Sequence, residues 1–415
     1  MFLIYRVLLN LILILSPLII IIRLLKKKEH PTRFKEKFGF YTKKKIKGKL
    51  IWFHGASVGE ILSIIPLIEK LEKNKKIKQI LITSNTLSSS KIISNLKLKK
   101  TIHQFFPIDT NHHTQKFLNY WKPSIAFFID SEIWPNMITN IKKRSIPMML
   151  MNARITSKSF KRWKIFISYA RRIFQSFDLC LSSNFKSSKY LKFLGAKKIR
   201  FIGNLKFTES EKNIKDLDRD LKKFFLSKKI WCASSTHNIE EQICANVHKK
   251  LKVKYKNLLT IIIPRHIHRT GEIINQIKKL NLKVHLHDSK YKINKDTDVY
   301  LVNSFGQTKS FFKICKTVFL GGSIIKHGGQ NPIEAARFGC KVLHGPSVWN
   351  FDEIYDLLKR YNVSDKVINP NQLSYKVDKM LNNKNKHKNL ELKIKNLGNK
   401  ILTSTLNEVN IYINK

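Results

Sequence analysis

At 415 residues the chain is too long for one ordinary hydrophobic core and calls for two domains of roughly 150 to 200 residues each. A hydrophobic content of 43% excludes intrinsic disorder. Five cysteines (Cys180, Cys232, Cys244, Cys315 and Cys340), odd in number and without a CxxC pair, exclude a disulfide framework and read as free thiols of a reducing compartment. Lys+Arg 79 against Asp+Glu 28 gives a formal net charge of +51. The lysines are scattered along the whole chain beside many Ile and Asn, all residues with A/T-rich codons, so compositional drift accounts for most of the charge and anionic partners for the rest. A nucleic-acid binder predicts a basic stripe with interleaved aromatics and salt-sensitive binding, and scattered lysines do not make one.

In chain order, Val7 to Ile22 is an almost unbroken apolar run bracketed by Arg6 and Arg23 and followed by Lys26, Lys27 and Lys28. With Met1 to Tyr5 included and Arg6 snorkelling, the segment reaches the ~20 residues that span a bilayer, and Pro17 kinks it. Residues 1–28 are therefore expected to be a membrane anchor with a basic flank. No small-x-small cleavage site follows, which argues against a signal peptide. The lysine excess on the carboxyl side puts the rest of the chain in the cytoplasm, and a helix lying in the interface is the alternative. Thr32 to Phe40, TRFKEKFGF, is either a solvated linker or a collar on anionic headgroups.

The next stretch, Trp52 to Glu60, WFHGASVGE, is a strand entering a Gly/Ala/Ser/Gly loop and then the first turn of a helix. Strand, loop and helix then recur through QILITSN, IHQFFPID, PSIAFFIDSEIWPN, MMLMNARIT, DLCLSSN and KIRFIGNLKF. The charged segment Thr208 to Lys229 reads as a linker. A second series follows: IWCASSTHNIEEQ, LLTIIIPRHIHR, KVHLHD, DVYLVNSFGQ, TVFLGGS, GGQNPIEAARFG and KVLHGP. The alternation predicts two Rossmann-like α/β domains, 29–215 and 216–415, each with a parallel sheet covered on both faces. Two such domains facing a cleft describe a GT-B architecture, with a last helix near Asn389 to Ile413 crossing back onto the first domain.

Glu60 has two readings. It complements the dipole of its helix, or, beside His54, two loop glycines and Ser57, it is a carboxylate facing a crevice and able to take a proton from a sugar hydroxyl. In GGQNPIEA, Asn331 is the expected N-cap, Pro332 the first helical residue and Glu334 the capping-box partner. The glycines before it suggest free N–H groups turned toward a phosphate, with Glu334 on ribose hydroxyls. Arg265, in Pro264-Arg265-His266 at a strand end, suits a nucleotide phosphate, with Ser234 to His237 in the sibling loop offering hydroxyls and an imidazole. Lys206 in GNLKF would stabilise charge on a sugar carboxylate or leaving group. No P-loop or GxGxxG is present, and His112-His113 and His266/His268 read as surface or loop histidines, so no metal is expected.

Taken together and in this order, HGASVGE, DSEIWPN, GNLKF, SSTHNIEE, PRHIHR, FLGGS and GGQNPIEAARFG behind an amino-terminal anchor resemble the 3-deoxy-D-manno-octulosonic acid (Kdo) transferases of lipopolysaccharide assembly, from the anchor to about Tyr361. The resemblance implies an inverting, metal-independent GT-B glycosyltransferase without a cofactor. Its donor would be CMP-Kdo and its acceptor the lipid A precursor, at the cytoplasmic face of the inner membrane among its lipids. It implies Glu60 as proton acceptor and Asp130 and Lys206 as transition-state stabilisers. The CMP site would comprise Pro264 and Arg265, the turn Phe305-Gly306-Gln307, and Asn331-Pro332-Ile333-Glu334. Gln307 and Asn303 replace acids usual in the family, and Asp130 stands where a Glu is expected. A GT-B transferase using a UDP-sugar on another lipid-linked acceptor is the rival reading.

Overall fold

The computed structural model describes residues 2–96, 98–209, 216–289, 291–382 and 389–414. It divides into two compact units, Met1–Ser210 with Gly398–Lys415, and Glu211–Leu397.

The first unit holds seven parallel strands: β1 (Leu50–His54), β2 (Gln79–Ser84), β3 (Thr101–Phe105), β4 (Ile125–Ile129), β5 (Met148–Ala153), β6 (Leu179–Ser182) and β7 (Ile199–Phe201). Their order is β3-β2-β1-β4-β5-β6-β7. LIWFH, IAFFI and MMLMNA are buried at every position rather than alternately, because helices cover both faces of a parallel sheet. Trp52, Phe117, Phe128 and Phe174 form the centre of the core on one face. The chain runs outward from β1 to β3 and then restarts beside β1 with β4. Loops leaving β1 and β4 therefore diverge, and the crevice at their carboxyl ends is where such a sheet takes a ligand.

The second unit repeats the scheme with β8 (Lys229–Thr236), β9 (Leu258–Pro264), β10 (Val284–Leu286), β11 (Val299–Leu301), β12 (Thr317–Leu320), β13 (Lys341–His344) and β14 (Ser364–Lys366), in the order β10-β11-β9-β8-β12-β13-β14. Its reversal lies between β8 and β12. Two apolar clusters, around Trp231 and around Tyr300, cover the two faces. All five cysteines are free and buried.

Helix α1 (Phe2–Leu25) is long and apolar enough to cross a membrane by length and composition, with a mean hydropathy of 2.6 over Leu3–Leu25. One stripe of it is tied to the first unit. The Tyr5 hydroxyl donates to Asp109 at 2.7 Å and Arg6 Nε to Asn136 at 3.0 Å. At the other end Arg23 Nε donates to Glu29 at 3.0 Å. Leu3, Leu8, Leu11, Leu15 and Leu18 are exposed along the rest of the helix.

Several expectations need correction. TRFKEKFGF is no solvated linker: Arg33–Phe38 is a short 3-10 turn whose Glu36 is fully buried, takes both Arg33 and the Phe105 amide, and anchors the segment to β3. Arg33 and Lys37 are thereby engaged with Glu36 and Glu29, and of the segment's lysines Lys35 is left to solvent. The expected linker Thr208 to Lys229 is shorter, because Arg219–Leu226 is a helix capped by Asp218, with Phe225 fully buried in the second unit. Flanking charges hid the helical spacing of Leu221 and Phe225; residues 210–215 lie outside the described ones. His113 is buried and hydrogen-bonded to Thr110, not a surface residue. Strand β14, SDK, carries no apolar pattern that would mark it in the sequence.

Candidate functional site

In the first unit the loops leaving β1 and β4 bring three acids together. Helix α2 (Val58–Leu71) starts at Ser57, whose Oγ accepts the Glu60 amide. The Glu60 carboxylate turns back over this start, accepting the Ala56 N–H at 2.7 Å and the Ser57 hydroxyl at 2.7 Å. The Glu60 side chain thus caps the helix and remains partly open to solvent. Burial first, and then the charges of Glu132 and Asp130, push its pKa up to about 7 against the pull of the Ser57 and Ala56 donors.

Asp130 directly follows β4 in a left-handed conformation (φ 60°), a backbone cost of about 1–2 kcal/mol for a residue with a Cβ. The conformation is held because its N–H donates to Met151 at 2.9 Å and its carbonyl accepts from Arg154 at 3.3 Å. Burial raises its carboxyl pKa, opposed by Lys206 and Arg154. Lys206 Nζ stands 3.9 Å from Asp130 Oδ2. Its turn is fixed from both sides: Asn152 Oδ1 accepts the Leu205 amide at 2.9 Å, and Asn204 Oδ1 accepts that of Lys206 at 3.0 Å. The helix Leu390–Ile413 packs on the same turn at Gly398, where a Cβ would stand 2.5 Å from the Phe207 carbonyl oxygen. Only glycine permits that approach.

Glu132 completes the cluster. Its Oε2 accepts from Trp134 Nε1 at 2.8 Å and lies 3.2 Å from His54 Nε2. His54 is fully buried, stacked on Phe106 with ring centroids 3.8 Å apart, its Nδ1 3.0 Å from the Thr83 hydroxyl. Burial raises the Glu132 pKa, but the His54 and Trp134 contacts outweigh it and leave the carboxyl below the usual range.

In DSEIWPN the proline opens the helix Pro135–Lys143 without a side-chain cap from Trp134. The orphan amides of Asn136 and Met137 go instead to buried Asp109, at 3.0 and 2.8 Å. The two motifs FPID and DSEIWPN are one structural device.

In the second unit the loops leaving β8, β9 and β12 converge. Glu240, fully buried, accepts the amides of Gly322 (2.6 Å), Ser323 (3.0 Å), Ile324 (2.9 Å) and His237 (3.1 Å). It therefore clasps FLGGS to SSTHNIEE. At Gly321 a Cβ would lie 2.5 Å from the Ser235 carbonyl oxygen, so this clasp also requires glycine. Arg269 of PRHIHR is bound to Glu241 at 3.0 Å and is structural. Arg265 differs: its amide donates to Thr236 at 3.0 Å, while the residue is exposed.

The His237 ring lies 4.3 Å from that of His327 and 5.5 Å from that of His266. Burial, and then His327, His266, Arg265 and Arg269, lower its pKa to about 4. Its Nε2 and the Ser234 hydroxyl are buried without a hydrogen-bond partner. Orphaned polar atoms near the guanidinium of Arg265 are suited to an anion.

GGQNPIEA is placed differently from expectation. The helix there is Ile333–Arg337, five residues, with Pro332 at the cap position. Asn331 Oδ1 accepts the Ile333 amide at 3.2 Å. Glu334 does not close a capping box; it pairs with Lys309 at 3.5 Å. The Gly329 amide is not free either, donating to Gly322 at 2.8 Å. The Lys309 contact ties this segment to the helix Thr308–Ile314, which follows Phe305, Gly306 and Gln307. Phe305 is 78% exposed and Gly306 takes φ 81°. Pro264 ends β9. Among the described residues no group of three or more His, Cys, Asp or Glu is placed to hold a metal.

Residues 32–209 match the family model described as 3-deoxy-D-manno-octulosonic-acid transferase (kdotransferase). The chain is 31% identical to the probable 3-deoxy-D-manno-octulosonic acid transferase, mitochondrial, of Arabidopsis thaliana, over 82% of this chain and 78% of that one. It is 30% identical to the 3-deoxy-D-manno-octulosonic acid transferase of Haemophilus influenzae over 84% of each. Among solved structures, a putative UDP-N-acetylglucosamine 2-epimerase from Listeria monocytogenes aligns with a TM-score of 0.59 at 12% identity, over 86% of this chain and 96% of that one. At that identity the likeness concerns the two-domain α/β architecture, shared with GT-B enzymes, and not the chemistry.

Proposed function

Because the chain belongs to the 3-deoxy-D-manno-octulosonic acid transferase family, we propose that it moves Kdo from CMP-Kdo to the lipid A precursor lipid IVA by an inverting displacement with Glu60 as general base. The supporting observation is the Glu60 carboxyl, seated at a β1/β4 switch point and brought to about 7 by burial and two neighbouring acids. A base of that strength is half ready at neutral pH and gains the most from accepting a proton.

In this mechanism the acceptor hydroxyl oxygen bonds to the anomeric carbon as its proton passes to Glu60. The bond from that carbon to the phosphate oxygen breaks on the opposite face, and CMP leaves with the electron pair. Lys206, aligned by Asp130, offsets negative charge at the sugar carboxylate or leaving phosphate. Arg265 takes the CMP phosphate, with the turn Phe305 to Gln307 and Asn331 to Glu334 completing the nucleotide site. Side-chain cations supply the charge neutralisation, so transfer needs no metal ion. The helix Ile333–Arg337 is too short for a substantial macrodipole, which leaves the phosphate chiefly to Arg265 and the histidine-lined loops.

The exposed apolar stripe of α1 suits a seat in the inner membrane. There the cytoplasmic enzyme would meet an acceptor whose acyl chains stay in the bilayer. Glu60→Gln tests the reading: transfer from CMP-Kdo to lipid IVA should fall by roughly 10²–10⁴-fold with donor binding retained. Near-normal turnover would remove Glu60 from the role.

A further inference from the structure

Glu132 touches no reacting atom in the proposed mechanism, yet a chain of buried side chains stands behind it and holds it. Trp52 Nε1 donates to the Thr83 hydroxyl oxygen at 2.9 Å. That hydroxyl stands 3.0 Å from His54 Nδ1 and donates to the Phe53 carbonyl oxygen at 3.4 Å, which fixes the imidazole in place. The other ring nitrogen, His54 Nε2, lies 3.2 Å from Glu132 Oε2 and donates to it, because an ionised carboxylate oxygen only accepts. Trp134 Nε1 donates to the same oxygen from the other side at 2.8 Å. A carboxylate oxygen between two N–H donors is held ionised.

We infer that Glu132 is a positioning residue for the transfer reaction: a fixed anion, oriented by the Trp52–Thr83–His54 relay and Trp134, that sustains the basicity of Glu60. The inference rests on Glu60 being the base. The charged groups facing Glu60 are Glu132 and Asp130 from the loop after β4, while Lys206 and Arg154 act on Asp130. Asp130 thus has two cations to balance it. Glu132 is held instead by an indole and an imidazole. The elements behind this arrangement are rigid. His54 is the last residue of β1 and fully buried against Phe106, and Trp134 precedes the helix that Asp109 caps.

The test is the acid limb of kcat/KM against pH, which reports the base in the free enzyme. Glu132→Gln keeps an oxygen for His54 and Trp134 but removes the charge. The limb should move from near 7 toward the ordinary carboxylate range by about one unit or more, with the pH-independent rate falling severalfold as the base weakens. Glu132→Asp, which keeps the charge, should leave the limb within about half a unit of the wild type. A limb unmoved in the Gln variant, with normal thermal unfolding, overturns the inference; so does a limb displaced equally in both variants.

Failure of the underlying reading looks different, because Glu60→Gln would then retain turnover and its acid limb. Should Glu132→Gln not fold, carboxyl ¹³C titration of the wild type against Glu60→Gln decides. The resonance missing from the variant must titrate near 7 while a carboxylate hydrogen-bonded to an indole stays ionised, and a midpoint near 4.5 overturns the inference.

Discussion

Ser57 and Glu60 hold each other. The hydroxyl oxygen of Ser57 accepts the Glu60 amide at 3.4 Å and its proton goes to Glu60 Oε1 at 2.7 Å. The contact does two opposed things, fixing the start of α2 and stabilising the charged form of the carboxylate. Ser57→Ala should therefore cost about 0.5–2 kcal/mol in denaturant unfolding, as lost helix caps do. It should also raise the Glu60 pKa further, moving the acid limb of kcat/KM upward by up to about one unit. A limb moving downward would mean that Ser57 does not donate to Glu60.

The same carboxylate makes stability depend on pH. Its folded pKa, about 7, lies above the unfolded value of 4.5. The folded state therefore holds a proton that the unfolded state has released, and the stability this gives is present below about pH 4.5 and lost as pH rises through 7. A shift of this size corresponds to about 3 kcal/mol in full, which partial exposure of the side chain reduces to about 1–2 kcal/mol. Glu60→Gln, always neutral, should unfold at a higher temperature than the wild type at pH 8, and the advantage should vanish by about pH 4. An inactive variant that is more stable only at the higher pH is the expected mark of a strained base.

The parts of the fold legible in the sequence were those with uninterrupted apolar strands. LIWFH, IAFFI, MMLMNA and LLTIIIP each read as a buried parallel strand and each is one. Strand β14 has no such run, and the helix Arg219–Leu226 sits among charges that resemble a linker.

The acids at the strand ends were visible as residues, but their division of labour was not. Nothing in SSTHNIEE distinguishes Glu240, spent on four backbone amides, from Glu241, spent on Arg269. Glu132 was visible only as a second acid, because its partner His54 lies 78 residues away in sequence. The bonds of helix α1 to Asp109 and Asn136 join residues more than one hundred positions apart, beyond the reach of any local pattern.

For the donor side, Arg265 is the group to remove. Its backbone is pinned to Thr236 and its exposed side chain supports no local architecture, unlike Arg269. Arg265→Ala should leave unfolding unchanged and weaken CMP binding by roughly 10–100-fold, the worth of a charge-assisted hydrogen bond of about 1.5–3 kcal/mol. Calorimetric titration with CMP measures it. In the wild type CMP should raise the melting temperature more than UDP does at equal concentration, and the reverse order would favour a UDP-sugar enzyme.

Glu240 offers a contrasting outcome within the same unit. Four amides from two loops end on one buried carboxylate, and Glu240→Ala leaves them without an acceptor where water has little access. Each such group costs about 1–3 kcal/mol, and because neighbouring costs do not add fully, a total of about 4 kcal/mol or more is expected. The loss should fall first on the turn Gly321 to Ile324 and on the loop holding His237, seen as faster amide exchange at those positions. The core around Phe117 and Phe128 belongs to the other unit and should keep its protection. CMP affinity should fall together with this local order, whereas in Arg265→Ala it falls with local order intact. Unchanged exchange at Gly322 and Ser323 in Glu240→Ala would show that the clasp between the two loops is held by something other than this carboxylate.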